Sequence, residues 1–231
     1  MTRSANLSIA FSEEQAMILD SAKEFCRDTY DGNEVSSLLQ SEKGFKQDVW
    51  DEMVALGWTG LAIPEQFGGF AMGIGATVPL VESMGRYMLC TPYISATIAA
   101  QAIARCGSEP QQSKWLPALV KGTIGTLALL DNEDWGATST SCELTTKDGQ
   151  LELKGKKLLV HDASVSDFFL VLAQYDGAEV LVIVESSQLA DNAIDSKTLV
   201  DETKRAANVD FTGVTIQSDA ILPSGEDALA D

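Results

Sequence analysis

The apolar residues of this chain change their spacing near Gly122, and that change limits its possible folds more than any other feature. Before Gly122, apolar residues recur every three to four positions, which is typical of helices packed on one face. After it, short apolar runs alternate with turn residues, as in β-strands. Helices followed by strands predict an α+β chain in two domains, with a helical part first and a β part second.

Helix boundaries in the first half are marked by capping residues. Ser12 and Ser108 each stand three residues before a glutamine, which predicts a capping box at the start of a helix. Gly57 follows an apolar stretch at 49–56 and fits the position after a helix end. The apolar stretch 76–105 predicts two buried helices, separated at Thr91-Pro92.

Strand signals fill the second half. An Asp-Gly pair at 148–149 lies between alternating segments at 142–146 and 150–154, which predicts a β-hairpin. Further strands are predicted at 127–130, 157–160, 168–173, 180–184 and 209–216. After Leu222 the sequence reads as a loop and the first turn of a helix, so we expect the natural protein to continue beyond Asp231.

Composition excludes several classes of function. A formal net charge of −18 disfavours nucleic acid or an anionic membrane as a partner. An anionic ligand would need a local basic or amide-lined site. The four cysteines form no CxxC pair and His161 is the single histidine, so neither a metal site nor a Ser-His-Asp triad is predicted. Without a signal sequence or a run of about 18–20 apolar residues, we expect a cytoplasmic protein.

Several local strings, in this order and spacing, resemble the acyl-CoA dehydrogenase family over nearly the whole chain. They are Phe11-Ser12-Glu13-Glu14-Gln15, the segment 56–65 with Phe67-Gly68-Gly69, Glu82-Ser83-Met84-Gly85-Arg86, and the segment 107–117. The resemblance implies a helical N-terminal domain at 1–122 and an antiparallel, β-barrel-like middle domain at 123–222. At 223–231 it implies the start of a C-terminal helical bundle that this chain does not contain. It also implies FAD and an acyl-CoA substrate.

The resemblance places one group of flavin contacts after the first strand, at Leu130, Asp131, Gly136 and Ala137. Family members carry Thr-Glu-Pro-x-x-Gly-Ser-Asp there, and of its specified residues only Gly136 matches. Asp131 replaces the threonine that hydrogen-bonds the flavin, and Ala137 replaces the serine at the pyrophosphate. Acidic residues at 131, 133 and 134 would repel a diphosphate, and such a run in a loop is usually just solvated.

A second group of flavin contacts is expected where the family has Trp-Ile-Thr-Asn-Gly. Leu159 keeps the bulk of the tryptophan but not its aromatic face, and His161 replaces the threonine. His161 has two interpretations: a hydrogen-bond donor to the flavin N5, or a surface or loop-end histidine paired with Asp162. We assign no catalytic residue, because the catalytic carboxylate of the family belongs to the bundle.

Three functions remain open from the sequence. The chain is a truncated acyl-CoA dehydrogenase or the flavin-poor subunit of a heteromeric one, acting on lipid or steroid thioesters and oligomerising with itself or a related chain. Alternatively it is a non-catalytic scaffold subunit that keeps the dehydrogenase fold. An oxidase of the same superfamily cannot be separated from these by sequence. Exposed apolar surface left by the missing bundle predicts oligomers or poor solubility when the chain is alone.

Overall fold

The computed structural model describes residues 12–29, 32–133, 140–147 and 149–223. Helices come first and strands second, with the β layer mostly antiparallel and curled like half a barrel, so the predicted α+β class is confirmed. Within the described ranges, no helix is long and apolar enough to cross a bilayer. The tail 224–231, for which a helical turn was expected, lies outside them.

Six α-helices form the described N-terminal part: α1 (Glu13–Thr29), α2 (Gly32–Leu39), α3 (Gln47–Ala55), α4 (Val78–Tyr87), α5 (Tyr93–Cys106) and α6 (Glu109–Val120). Both predicted capping boxes are present: Gln15 Oε1 accepts from the Ser12 N–H at 3.0 Å, and Gln111 Oε1 accepts from the Ser108 N–H at 2.8 Å. Gly57 follows α3 in the left-handed region, with φ at +76°, which a residue without Cβ adopts freely.

Nine strands follow in the described residues: β1 (Gly125–Ala128), β2 (Glu143–Lys147), β3 (Gln150–Lys154), β4 (Lys156–His161), β5 (Phe168–Tyr175), β6 (Ala178–Glu185), β7 (Ile194–Lys197), β8 (Ala206–Asp210) and β9 (Val214–Ile216). One sheet has the order β1-β5-β2-β3-β9, with β6 paired to β5. The other has the order β4-β8-β7. The predicted hairpin is the β2–β3 pair, although Asp148 of its turn lies outside the described residues.

Two strand predictions need correction. The single strand expected at 209–216 is two strands, β8 and β9, which belong to different sheets. Gly213, with φ at +89°, lies in the turn between them and lets the chain reverse. The polar strand β7 was missed because Ile194–Lys197 has little apolar content. Two pairings, β1–β5 and β2–β5, are parallel, which an alternating pattern does not reveal.

The two halves of the chain share one hydrophobic core. Phe168 and Leu170 of β5 pack with the helices, whereas Phe169 and Val171, on the opposite face, pack inside the β layer. Burial on both faces explains why β5 is a continuous apolar run. The rings of Trp115 and Phe168 lie 4.4 Å apart between centroids and join α6 to β5. Because the core crosses it, the domain boundary at residue 122 stays a prediction.

Arg205, just before β8, also joins the two halves. Its Nη2 donates to the backbone carbonyls of Leu38, Leu39 and Ser41 at 2.8, 3.0 and 3.0 Å. These carbonyls lie at the C-terminus of α2, where the last turn of a helix leaves oxygens without partners and a partial negative charge. A guanidinium from the β half therefore caps a helix of the N-terminal half.

Replacing Arg205 with methionine keeps the length of the side chain and removes these hydrogen bonds. We expect the free energy of unfolding to fall by about 1.5–3 kcal/mol, the usual value of hydrogen bonds to a charged group. Arg205→Lys should recover only part of it, since an ammonium cannot reproduce the guanidinium fork. Urea unfolding measures the change, and Arg86→Met on an exposed face of α4 is the control. Equal stability of the two methionine variants would contradict the cap.

Candidate functional site

The two segments that carry the predicted cofactor contacts lie side by side. The Leu158 N–H donates to the carbonyl of Leu130 at 2.7 Å, and the Thr126 hydroxyl donates to the carbonyl of His161 at 2.7 Å. β4 therefore runs antiparallel to the segment formed by β1 and the residues after it. Leu130 is half-buried within this arrangement. Gly136 and Ala137, two of the predicted contacts, lie outside the described residues.

A buried ion pair occupies the position of Asp131. The Lys157 side chain is fully buried and that of Asp131 is 6% exposed, and the Lys157 ammonium donates directly to Asp131 Oδ1. The ammonium donates two more hydrogen bonds, to the carbonyl of Leu129 at 3.0 Å and to the hydroxyl of Thr140 at 2.7 Å. An ammonium has three donors, and all three are used.

The second oxygen of Asp131 is also occupied. Oδ2 accepts from the Thr140 hydroxyl at 2.7 Å and from the backbone N–H of Ser141. Burial alone would raise the pKa of Asp131, but the hydrogen bonds from Lys157, Thr140 and Ser141 outweigh it, so the pKa lies below its usual value. The side chain is therefore an ionised internal anchor and not a solvated loop carboxylate.

Leu159 stands at an irregular point in β4. The register against β8 shifts between Lys157 and Val160, and Leu159 has φ at +49°, an uncommon backbone conformation for a residue with a Cβ. The side-chain oxygen of Asn208 accepts the freed Leu159 N–H at 3.2 Å. The bulge places Lys157 and Val160 on the buried side of β4, which a regular alternation would not do.

His161 and Asp162, at the end of β4, face different surroundings. His161 is exposed and pairs with Ala206 through the backbone. Asp162 turns inward with φ at +53°, and its carboxylate accepts from the Ser95 hydroxyl at 2.6 Å. The carboxylate of Asp162 therefore contacts the first turn of α5. The groups that act on the Asp162 carboxylate through their charge are Lys204, His161 and Arg205.

Burial is the main influence on the ionisation of Asp162. It raises the pKa of the carboxyl, and the Ser95 hydrogen bond and the positive charges of Lys204 and Arg205 offset only part of the rise. The sequence analysis named Asp162 only as a possible partner of His161 and did not expect Lys157, Thr140 or Ser95 at the site. The position of Lys157 directly before the apolar run at 158–160 was the one available signal.

Comparison with known proteins gives the family. The N-terminal domain model of the acyl-CoA dehydrogenases matches residues 12–123. FadE27, an acyl-CoA dehydrogenase of Mycobacterium tuberculosis, is 30% identical over 145 residues, 62% of this chain and 38% of that protein. Residues 12–123 therefore belong to the N-terminal domain of the acyl-CoA dehydrogenase family. The chain is also 27% identical over 177 residues to acryloyl-CoA reductase (NADH) of Anaerotignum propionicum, 74% of this chain and 44% of that protein.

The fold of the β half is also that of the family. A chain of the ChsE4-ChsE5 complex from Mycobacterium tuberculosis superimposes with a TM-score of 0.83 at 21% identity, covering 96% of this chain and 60% of that one. The chain thus spans about two fifths of the length of the sequence relatives named above, at 38% and 44%.

The acyl-CoA dehydrogenase family implies FAD, and the described residues do not fit it at Asp131. Both carboxylate oxygens are engaged, and a ligand that took the place of Lys157 at this carboxylate would have to break the pair. Breaking a buried ion pair costs about 3–5 kcal/mol, whereas one neutral hydrogen bond returns about 0.5–1.5 kcal/mol. Leu159 offers no aromatic face. Within the described ranges, no group of three or more His, Cys, Asp or Glu residues is placed to hold a metal.

Asp162→Asn tests the buried carboxylate. The asparagine oxygen can still accept from Ser95, and asparagine tolerates positive φ, so the variant removes the charge alone. A raised folded-state pKa means that the ionised carboxylate destabilises the fold as pH rises. We therefore expect the stability gain of Asp162→Asn to grow from about pH 4 through the raised pKa and then level off. Chemical denaturation at several pH values measures it.

Asp162→Ala is the matched control, because it removes the acceptor as well as the charge. It should be less stable than Asp162→Asn at every pH, since the Ser95 hydroxyl loses its partner. A gain from Asp162→Asn that does not vary with pH would contradict the assignment.

Proposed function

We propose that the chain is a subunit of an acyl-CoA dehydrogenase-type assembly in which a related chain carries the FAD and the catalytic carboxylate. The proposed reaction of the assembly is α,β-dehydrogenation of an acyl-CoA thioester. One observation carries the proposal: the chain keeps the family framework, while Asp131 and Lys157 bond to each other where a flavin contact is expected. No catalytic residue is proposed in this chain, and its cytoplasmic location stays a prediction.

An exposed apolar patch supports the need for a partner. We define it as the side chains of Phe70, Met72, Ile74 and Val78, each at least 36% exposed. No charged residue lies between Glu65 and Glu82. In a chain with a net charge of −18, such an uncharged stretch favours contact with another protein surface. A related dehydrogenase chain, the kind of partner proposed here, would cover it.

The backbone under the apolar patch is held in place. The N–H groups of Phe70, Ala71 and Met72 donate to carbonyls of residues 60–63 at 2.9–3.0 Å. The Gln15 side chain donates to the carbonyl of Gly75 at 3.0 Å and ties the patch to α1. Since these side chains are presented by an ordered backbone, a partner meets them without first ordering the segment.

The proposal is tested by expressing the chain with and without a related full-length acyl-CoA dehydrogenase chain from the same genome. We expect flavin absorbance only in the co-purified complex, and we expect that absorbance to bleach when an acyl-CoA is added. A complex that holds flavin but shows no bleaching with any acyl-CoA tried would favour the scaffold alternative. Peroxide formation in place of electron transfer to a dye would identify an oxidase.

The apolar patch has its own test, in the double variant Ile74→Asp, Val78→Asp. Burying two carboxylates in an interface is costly, so we expect the complex to dissociate at least tenfold more readily, a loss of about 1.4 kcal/mol or more. Val78 begins α4, where a carboxylate is favourable, so the fold should be kept. Val200→Asp, at a fully exposed valine of the β half, is the control. Sedimentation or calorimetry measures binding, and unchanged affinity would exclude the patch.

A further inference from the structure

We propose that the Lys157–Asp131 pair takes the place of a cofactor contact within the fold, so that this chain holds no flavin of its own even inside the assembly. The inference deepens the proposed function and rests on it for the partner that carries the flavin. Its evidence lies in this chain alone, in a cluster formed by Leu129, Asp131, Thr140 and Lys157, which we call the lysine cluster.

Every hydrogen-bonding group at the centre of the lysine cluster has a partner within the chain. The ammonium uses its three donors on Leu129, Asp131 and Thr140. The Thr140 hydroxyl donates to Asp131 and accepts from Lys157 and, at 3.2 Å, from the Cys142 N–H. A hydroxyl has one donor and two acceptor sites, so every hydrogen-bonding site of the Thr140 hydroxyl is occupied. No hydrogen-bond donor at this centre is left for a ligand.

The charges of the lysine cluster also cancel. One buried cation faces one buried anion, and the pair sits where water is excluded, with Lys157 fully buried. An incoming group that displaced either partner would leave an unpaired charge inside the protein. The charge of each partner is therefore balanced within the cluster.

The lysine cluster also holds together the ends of the connection between β1 and β2. Asp131 lies near the start of that connection, and Thr140 and Ser141 lie near its end. The carboxylate of Asp131 joins all three. The resemblance assigns this connection to the flavin. Here its ends are joined by the chain itself, so their spacing does not depend on a cofactor.

Flavin stoichiometry in the assembly is the deciding measurement. The co-purified complex is denatured, and released FAD is counted by absorbance against the amount of each chain. We expect one flavin for each pair of chains, and two per pair would overturn the inference. Zero flavin, even after incubation with excess FAD, would refute the proposed function and leave this inference standing. The two failures are therefore distinguishable.

A second measurement concerns the lysine cluster without reference to activity. Added FAD should leave the Tm of the unpartnered chain unchanged, because a ligand that binds only the folded state must raise it. Asp131→Asn should lower the Tm by on the order of 10 °C, since it leaves Lys157 buried without its counter-charge. The apolar double variant Asp131→Leu, Lys157→Met should recover most of that loss.

Lys156→Met is the matched control for these variants. Lys156 is the neighbouring lysine of β4, and its ion pair with Asp210 at 3.0 Å is exposed to water. The Tm of the Lys156→Met variant should stay within about 2 °C of the wild-type Tm, as expected when a surface ion pair is removed. If the unpartnered chain melts at a higher temperature with FAD, or if Asp131→Asn melts like Lys156→Met, the lysine cluster does not have the proposed role.

Discussion

An ammonium group taken out of water must find an acceptor for each of its donors, and Lys157 obtains them from the two ends of one connection. Leu129 follows β1, Asp131 begins the connection to β2, and Thr140 closes it. None of these residues can move without leaving a polar group unpaired in the interior. The position of the connection between β1 and β2 relative to β4 therefore depends on one buried charge and its counter-charge.

The contact between the two halves of the chain combines apolar and polar interactions. Phe168 and Trp115 supply buried area across the junction, which is favourable but not directional. Arg205 donates hydrogen bonds to the C-terminus of α2, and the Ser95 hydroxyl donates one to Asp162. These hydrogen bonds form in one relative position of the two halves only. The apolar contacts thus contribute most of the stability, and the polar contacts fix how the sheet meets the helices.

Much of this arrangement could be predicted from the sequence. Caps at Ser12 and Ser108, the turn at Gly57 and the β-hairpin are local features, and short-range chemistry determines them. Lys157 could not be placed, because its burial depends on the bulge at Leu159, and the bulge depends on Asn208, far away in the chain. Asp131 was read as a solvated acidic residue for the same reason: its partner is 26 residues distant.

The bond between Asp131 and the Ser141 N–H has a consequence for how this protein changes over time. In a segment that binds a cofactor, every residue is constrained, because each replacement must remain compatible with binding. Once its two ends are joined by the protein itself, the sequence between them is released from that selection. Substitutions there, and even changes in length, then carry a small cost to the fold. The acidic residues at 133 and 134, inside the anchored ends, are what such freedom permits.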